Sequence, residues 1–189
     1  MGRLFIIRHG RPSGAWGGDD DDPGLAPAGI RQSVEAAVAL LSRPANERPR
    51  AVASSPLRRC VETATPLAQA LGVEIEIVPE VGEIPTPRGL SSAERGPWLR
   101  GAMSGTWAAI GGDIDYAAWR KDVAEAVRAR PDAAIFSHFV AINALISLLT
   151  RREEMVSFRP DHASITTLDL AGTELELVML GAEAVTSVL

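Results

Sequence analysis

Three short apolar runs, each breaking off into basic or hydroxyl residues, constrain the fold of this chain more than any other feature. Leu4-Phe5-Ile6-Ile7 runs into Arg8-His9-Gly10, and Ala51-Val52-Ala53 into Ser54-Ser55-Pro56-Leu57-Arg58-Arg59. Ala133-Ala134-Ile135-Phe136 runs into Ser137-His138. Runs that are apolar throughout, rather than alternating, suit strands buried on both faces, and such strands belong to parallel sheets covered by helices. Helix-like segments separate them. The pattern predicts an α/β three-layer sandwich with a mostly parallel central sheet flanked by helices. The carboxyl ends of parallel strands share one edge, where open α/β sheets bind ligands. Arg8, His9, one of Arg58 and Arg59, and His138 are therefore expected to converge there, with Gly10 letting the backbone turn or approach a ligand closely.

The remaining elements follow from periodicity and caps. Ile30, Val34, Ala37, Val38 and Leu41 recur at helical spacing and predict the buried face of a first helix. Ser55-Pro56 is expected to open the next as N-cap and first-turn proline, with Leu57, Val61, Ala64, Leu67, Ala68 and Leu71 as its buried stripe. Val73 to Val78 alternates apolar and acidic, as a strand with one wet face does. Asp115 is expected to cap a helix whose apolar face is Tyr116, Trp119, Val123 and Val127. Val140 to Leu149 reads as a strongly apolar helix, and Ser164 to Leu170 and Glu174 to Leu180 as a closing strand pair joined by Ala-Gly-Thr. Residues 83–112 hold three prolines, several glycines, Trp98 and Trp107, with little periodicity outside Glu94 to Met103. They read as an irregular insertion over the active site, and 1–189 as a single domain.

Composition narrows the partners. The 189 residues carry a net charge of -5, which disfavours non-specific binding to nucleic acid or to an anionic membrane. No stretch reaches membrane-spanning length, and the one cysteine, Cys60, excludes an intramolecular disulfide. A reducing, cytoplasmic setting is expected. Cys60 reads as inert core, Asp19 to Asp22 as a solvated charge run, and Trp98, Trp107 and Trp119 as packing. The helix with Trp119 and the apolar segment around Ile146 are candidates for homodimer contacts.

Arginine forks beside a helix N-terminus suit a phosphate dianion. The order and spacing of Arg8-His9-Gly10, Ser54-Ser55-Pro56-Leu57-Arg58-Arg59 with Glu62-Thr63-Ala64, and Ser137-His138 resemble the histidine phosphatase superfamily of phosphoglycerate mutase-like phosphatases. The resemblance extends through Leu25-Ala26-Pro27-Ala28-Gly29 with Gln32 and through His162-Ala163-Ser164-Ile165, spanning roughly residues 3 to 170. It implies that His9 is the nucleophile and becomes phosphohistidine, that Arg8, Arg59 and His138 hold the phosphoryl oxygens, and that Glu83 protonates the leaving oxygen. It implies no metal and no organic cofactor. Helix geometry separates the two arginines: Arg58 lies four residues before Glu62, the spacing of a solvated ion pair, which leaves Arg59 for the cleft.

The departures concern the pocket walls. Phe139-Val140 stand where the family often has Gly-Gly, so the Phe139 ring narrows the pocket while its backbone N–H remains available to a phosphate. Ser13 stands for the family's threonine, an asparagine equivalent is missing, and Arg11 could add a second anion contact. His162 is a supporting pocket candidate. The chain is short for a mutase, so the expected reaction is hydrolysis of a small phosphorylated metabolite. A phosphoglycerate-type phosphomutase and a non-catalytic phospho-ligand-binding protein are the alternatives.

Overall fold

The apolar run at the start of the chain divides its side chains between two cores. In the computed structural model, which describes residues 2–14 and 20–184, Leu4 and Ile6 join one hydrophobic cluster while Phe5 and Ile7 join another. Successive strand residues point to opposite faces, so a strand buried on both sides must be apolar at every position. This strand, β1 (Gly2–Arg8), lies inside a six-stranded sheet with β2 (Ala51–Ser54), β3 (Ile75–Ile77), β4 (Ala133–Ser137), β5 (Ile165–Ala171) and β6 (Glu174–Met179). The order is β3-β2-β4-β1-β5-β6, with the first four strands mutually parallel and β5 antiparallel to both β1 and β6. Helices α1 (Pro27–Leu41) and α2 (Arg58–Leu71) cover one face, and α4 (Tyr116–Arg128) and α5 (Phe139–Thr150) the other. The remaining helix, α3 (Ser92–Met103), lies in the 83–112 insertion and opens on a reciprocal Ser91–Glu94 capping box. The three-layer α/β sandwich is as expected.

The first helix is rotated from its expected orientation. Its buried residues are Gly29, Ser33, Ala36, Ala37 and Leu40, whereas Ile30, Val34 and Val38 are 55%, 49% and 57% exposed. Close packing is the reason. A Cβ on Gly29 would lie 2.2 Å from the Arg11 carbonyl oxygen, and one on Gly10 2.7 Å from that of Gly29. The helix therefore turns its small residues inward, and the Gly10 approach is to α1's backbone. The start of α2 also differs. It opens at Arg58 with Leu57 as N-cap, because the Arg58 N–H donates to both carboxylate oxygens of Asp22 at 2.9 and 3.0 Å. Ser55 is drawn elsewhere.

Asp115 caps α4 as expected, accepting from the Ala118 N–H at 2.9 Å. The insertion packs through Ile84, Leu99 and Trp107 onto Tyr116 of α4 and Phe139, Val140 and Ala144 of α5. Trp98 and Trp119 pack partly buried against the same cluster. Ile146 is buried in the core between α5 and the sheet, with Leu148 and Leu149 partly buried beside it. None of the described helices is long and apolar enough to cross a membrane.

Candidate active site

Parallel register brings the motifs level. Arg8 of β1 pairs with Ser137 of β4, and Ser54 of β2 with Phe136, so the residues that follow each strand emerge side by side. The His9 N–H donates to the Ser137 carbonyl at 2.9 Å and the Ser55 N–H to that of Phe136 at 2.9 Å. The rings of His9 and His138 consequently lie 5.2 Å apart between centroids, with His162 5.9 Å from His9.

Hydrogen bonding assigns the two histidines opposite tautomers. His9 Nδ1 lies 2.8 Å from the Gly10 carbonyl oxygen, which can only accept, so Nδ1 carries the proton and Nε2 keeps its lone pair. Burial, then Arg59 and Arg8, holds the His9 pKa well below its ordinary value, so the ring is neutral. His138 Nδ1 lies 3.1 Å from Arg59 Nη2, which can only donate. His138 therefore accepts at Nδ1 and donates from Nε2 to the Ser55 hydroxyl at 2.8 Å, with Cys60 Sγ 3.3 Å away. Burial, Arg59 and His9 keep it neutral as well.

Two arginines reach the same space. Arg8 is buried; Nη1 donates to the Pro160 carbonyl at 3.0 Å and its guanidinium sits 5.2 Å over the Phe139 ring. Its Nε–H is buried without a protein partner. Burial lowers the Arg8 pKa to about 10, partly opposed by Glu83 and Asp161, so it stays charged at neutral pH. Arg59 is buried, while Arg58 points outward in a 2.6 Å pair with Glu62, the division expected from helix spacing. Thr63 fixes the turn after His9: its hydroxyl donates to the Arg59 carbonyl at 2.6 Å and accepts from the Gly10 N–H at 2.9 Å.

Glu83 follows a short turn anchored to β4 by the Ser137 hydroxyl, which donates to the Val81 carbonyl at 2.7 Å. One Glu83 oxygen accepts from the Ile84 N–H at 3.0 Å and the other lies 3.8 Å from His138 Nδ1. Burial raises its pKa, with Arg59 the largest opposing influence. His162, beside Asp161 at 3.8 Å, has its pKa lowered to about 4 by burial and then Arg8.

A cavity of about 600 Å³ opens onto these groups. Arg8, His9, Ser13, Arg59, Glu83, Phe139 and His162 all line it, whereas His138 lies behind the wall, both ring nitrogens engaged by protein. Ser13 sits at the mouth with its hydroxyl donated to the Gly24 carbonyl at 3.1 Å. Arg100 and Asp161, which no sequence motif marks, line it too. The role of Ser55 as partner of His138 was equally hidden, since its place after a strand reads as a helix cap. Among the acidic run, Asp22 caps α2 and lies 3.9 Å from Arg59, and Asp21 lies 3.7 Å from Arg95, so these two carboxylates are tied to α2 and α3; Asp19 falls outside the described residues. Cys60 is buried core, its thiol pKa pushed up by burial.

Two neutral histidines and two buried guanidiniums thus stand together at one sheet edge. The model of the histidine phosphatase superfamily (branch 1) matches residues 4–101, and the chain belongs to that superfamily. The fold is similar to phosphoserine phosphatase from Entamoeba histolytica in complex with 3-phosphoglyceric acid, with a TM-score of 0.74 and 23% identity over 96% of this chain and 98% of that one. It is also similar to mycobacterial glucosyl-3-phosphoglycerate phosphatase in complex with VO3, with a TM-score of 0.69 and 27% identity over 97% and 100% of the two chains. The 55 kDa subunit of transcription factor tau from Saccharomyces cerevisiae is 31% identical over 122 residues. That match covers 55% of this chain and 27% of the length of that protein.

Proposed function

We propose that the protein is a metal-independent phosphomonoesterase acting through a phosphohistidine on His9, with a small phosphorylated metabolite as substrate. The observation that carries this reading is a neutral His9, its lone pair held on Nε2 by the Gly10 carbonyl, lining a cavity together with Arg8 and Arg59. Nε2 attacks phosphorus as the P–O bond to the leaving group breaks, and the Glu83 carboxyl gives its proton to the departing oxygen. Water then attacks the phosphohistidine, Glu83 takes a proton from it, the P–N bond breaks, and inorganic phosphate leaves with His9 neutral again. Arg8 and Arg59 offset the charge that builds on the equatorial oxygens. One Arg59 N–H goes to His138, leaving the rest of its five donors for the phosphoryl group. His138 is thereby a positioning residue for Arg59, and Ser55 for His138.

The superfamily membership and the phosphatase activity named for similar structures support hydrolysis, and the cavity volume is within the usual range for small-molecule sites. His9→Ala is expected to lower turnover of p-nitrophenyl phosphate by about 10³-fold or more. It should also abolish the acid-labile, alkali-stable label that the wild type takes up from a radioactive ester. Unchanged turnover overturns the reading. Isomerisation of 3-phosphoglycerate without phosphate release would replace it with a mutase.

A further inference from the structure

We infer that Asn143, buried in the middle of α5, is a positioning residue that holds Arg8 in the site from two sides at once. The inference rests on the reading of the inner cavity as a phosphoryl site.

Along most of its length α5 is apolar, and Asn143 is fully buried among its neighbours. An amide in such a place costs free energy relative to an apolar side chain unless its hydrogen bonds are made. They are made, and all to backbone. Nδ2 donates to the Phe139 carbonyl at 3.0 Å, while Oδ1 accepts from the Ser157 N–H at 2.7 Å and the Phe158 N–H at 3.1 Å. Both acceptor positions of Oδ1 are thereby used. One side chain ties the first turn of α5 to the segment beyond the helix.

Both of these partners lead to the same guanidinium. Phe139 carries the ring whose centroid lies 5.2 Å from Arg8 Cζ. Two residues past Phe158, the Pro160 carbonyl accepts from Arg8 Nη1 at 3.0 Å. Residues near the C-terminus hold this segment on its far side, where the Asp161 N–H donates to the Ala182 carbonyl at 2.8 Å and the Ala184 N–H to the Arg159 carbonyl at 2.9 Å. Asn143 is the tie on the near side. Arg8 therefore sits between a ring and a carbonyl whose backbones are braced by one amide, with its Nε–H buried and without a protein partner. A phosphoryl oxygen beside the guanidinium is the partner that the proposed reaction supplies. Displacing a group that holds the reacting phosphoryl by about 1 Å can cost about 10²-fold in rate. Asn143, being fully buried, acts on the reaction only through the groups it braces.

A double-mutant cycle tests this. Asn143→Ala is expected to lower kcat/KM for p-nitrophenyl phosphate by about 10- to 100-fold, and to weaken calorimetrically measured binding of inorganic phosphate by about threefold or more. In the Arg8→Ala protein the same substitution should change either quantity by less than about twofold, because the group it positions is gone. A purely structural defect would lower activity in both backgrounds. Ser147→Ala, one helical turn further along α5, removes a buried hydroxyl that donates to the Ala144 carbonyl and accepts from Arg120. It should lower the urea midpoint and leave kcat/KM within about twofold of the wild type. Should Asn143→Ala fail to fold, Asn143→Asp takes its place. That variant keeps the acceptor for the two N–H groups and loses the donor to Phe139, so a loss of about threefold or more is expected, again only where Arg8 is present. An unchanged kcat/KM, or an equal loss with and without Arg8, overturns the inference. Undiminished turnover by His9→Ala would instead overturn the phosphatase reading, and the cycle in phosphate binding then decides the tie between Asn143 and Arg8.

Discussion

Burial shifts both Glu83 and His9 toward their neutral forms, and in the proposed mechanism that has opposite consequences at the two ends of the pH scale. A depressed His9 pKa keeps the nucleophile unprotonated into the acid range. A raised Glu83 pKa keeps the proton donor loaded above the ordinary carboxylate range, and activity should fall as pH rises through that raised value. Glu83→Gln is expected to remove this basic limb and to lower kcat/KM for alkyl phosphates by about 10²–10⁴-fold. Turnover of p-nitrophenyl phosphate, whose leaving group needs little protonation, should suffer less, and the pH-rate profiles of the two esters check the assignment. Ser55 offers a second residue-scale prediction. Its hydroxyl is the buried acceptor for His138 Nε2–H at 2.8 Å, so Ser55→Ala should cost about 1–3 kcal/mol in urea unfolding. It should also shift the ring nitrogen resonances of His138, which a purely distant packing defect would leave alone.

Among the elements, α1 shows packing overriding pattern. The apolar spacing of Ile30, Val34 and Val38 is genuine, but the β1–α1 loop and α1 meet backbone to backbone at Gly10 and Gly29. Only the face with Gly29, Ser33, Ala36 and Ala37 is slim enough for that approach. Gly29→Ala is therefore expected to destabilise by about 3 kcal/mol, read as a lower urea midpoint, because its Cβ has no room against the Arg11 carbonyl. The start of α2 likewise answers to a distant partner: a carboxylate 36 residues earlier supplies the cap. No local window contains both ends of that bond.

Across the whole molecule, all three histidines have depressed pKa values, His162 at about 4. Below the unfolded value near 6.5 the unfolded chain takes up protons that the native state refuses, so stability is full above that pH and falls as pH drops. Each such proton contributes a slope of about 1.4 kcal/mol per pH unit. Glu83 acts with the opposite sign. Its raised pKa favours the fold below the unfolded value of 4.5, and that contribution fades as pH rises through the folded value. The net expectation is about two protons taken up on unfolding in the window just above 4.5, measured as the pH dependence of the urea midpoint. Replacing His162 with Asn should flatten the slope by about one proton. A midpoint independent of pH from 7 to 5 contradicts the buried neutral cluster.

The layers, the strand ends and the ranking of Arg59 over Arg58 are legible in the residues alone. Continuous apolar runs can be satisfied only between two helical layers, and the i,i+4 rule acts within one helix turn. The sequence also directed Arg8, His9 and His138 to one edge, since parallel strands deliver their carboxyl ends there, whereas Glu83 joined that group only through the family resemblance. The tertiary structure alone decided which side of α1 is buried, what caps α2, and that His138 faces Ser55 and Arg59 rather than the cavity. It alone brought Arg100 over the site from an insertion with little hydrophobic period. These outcomes depend on contacts between residues tens of positions apart, where close approach and hydrogen bonding, not local periodicity, set the free energy.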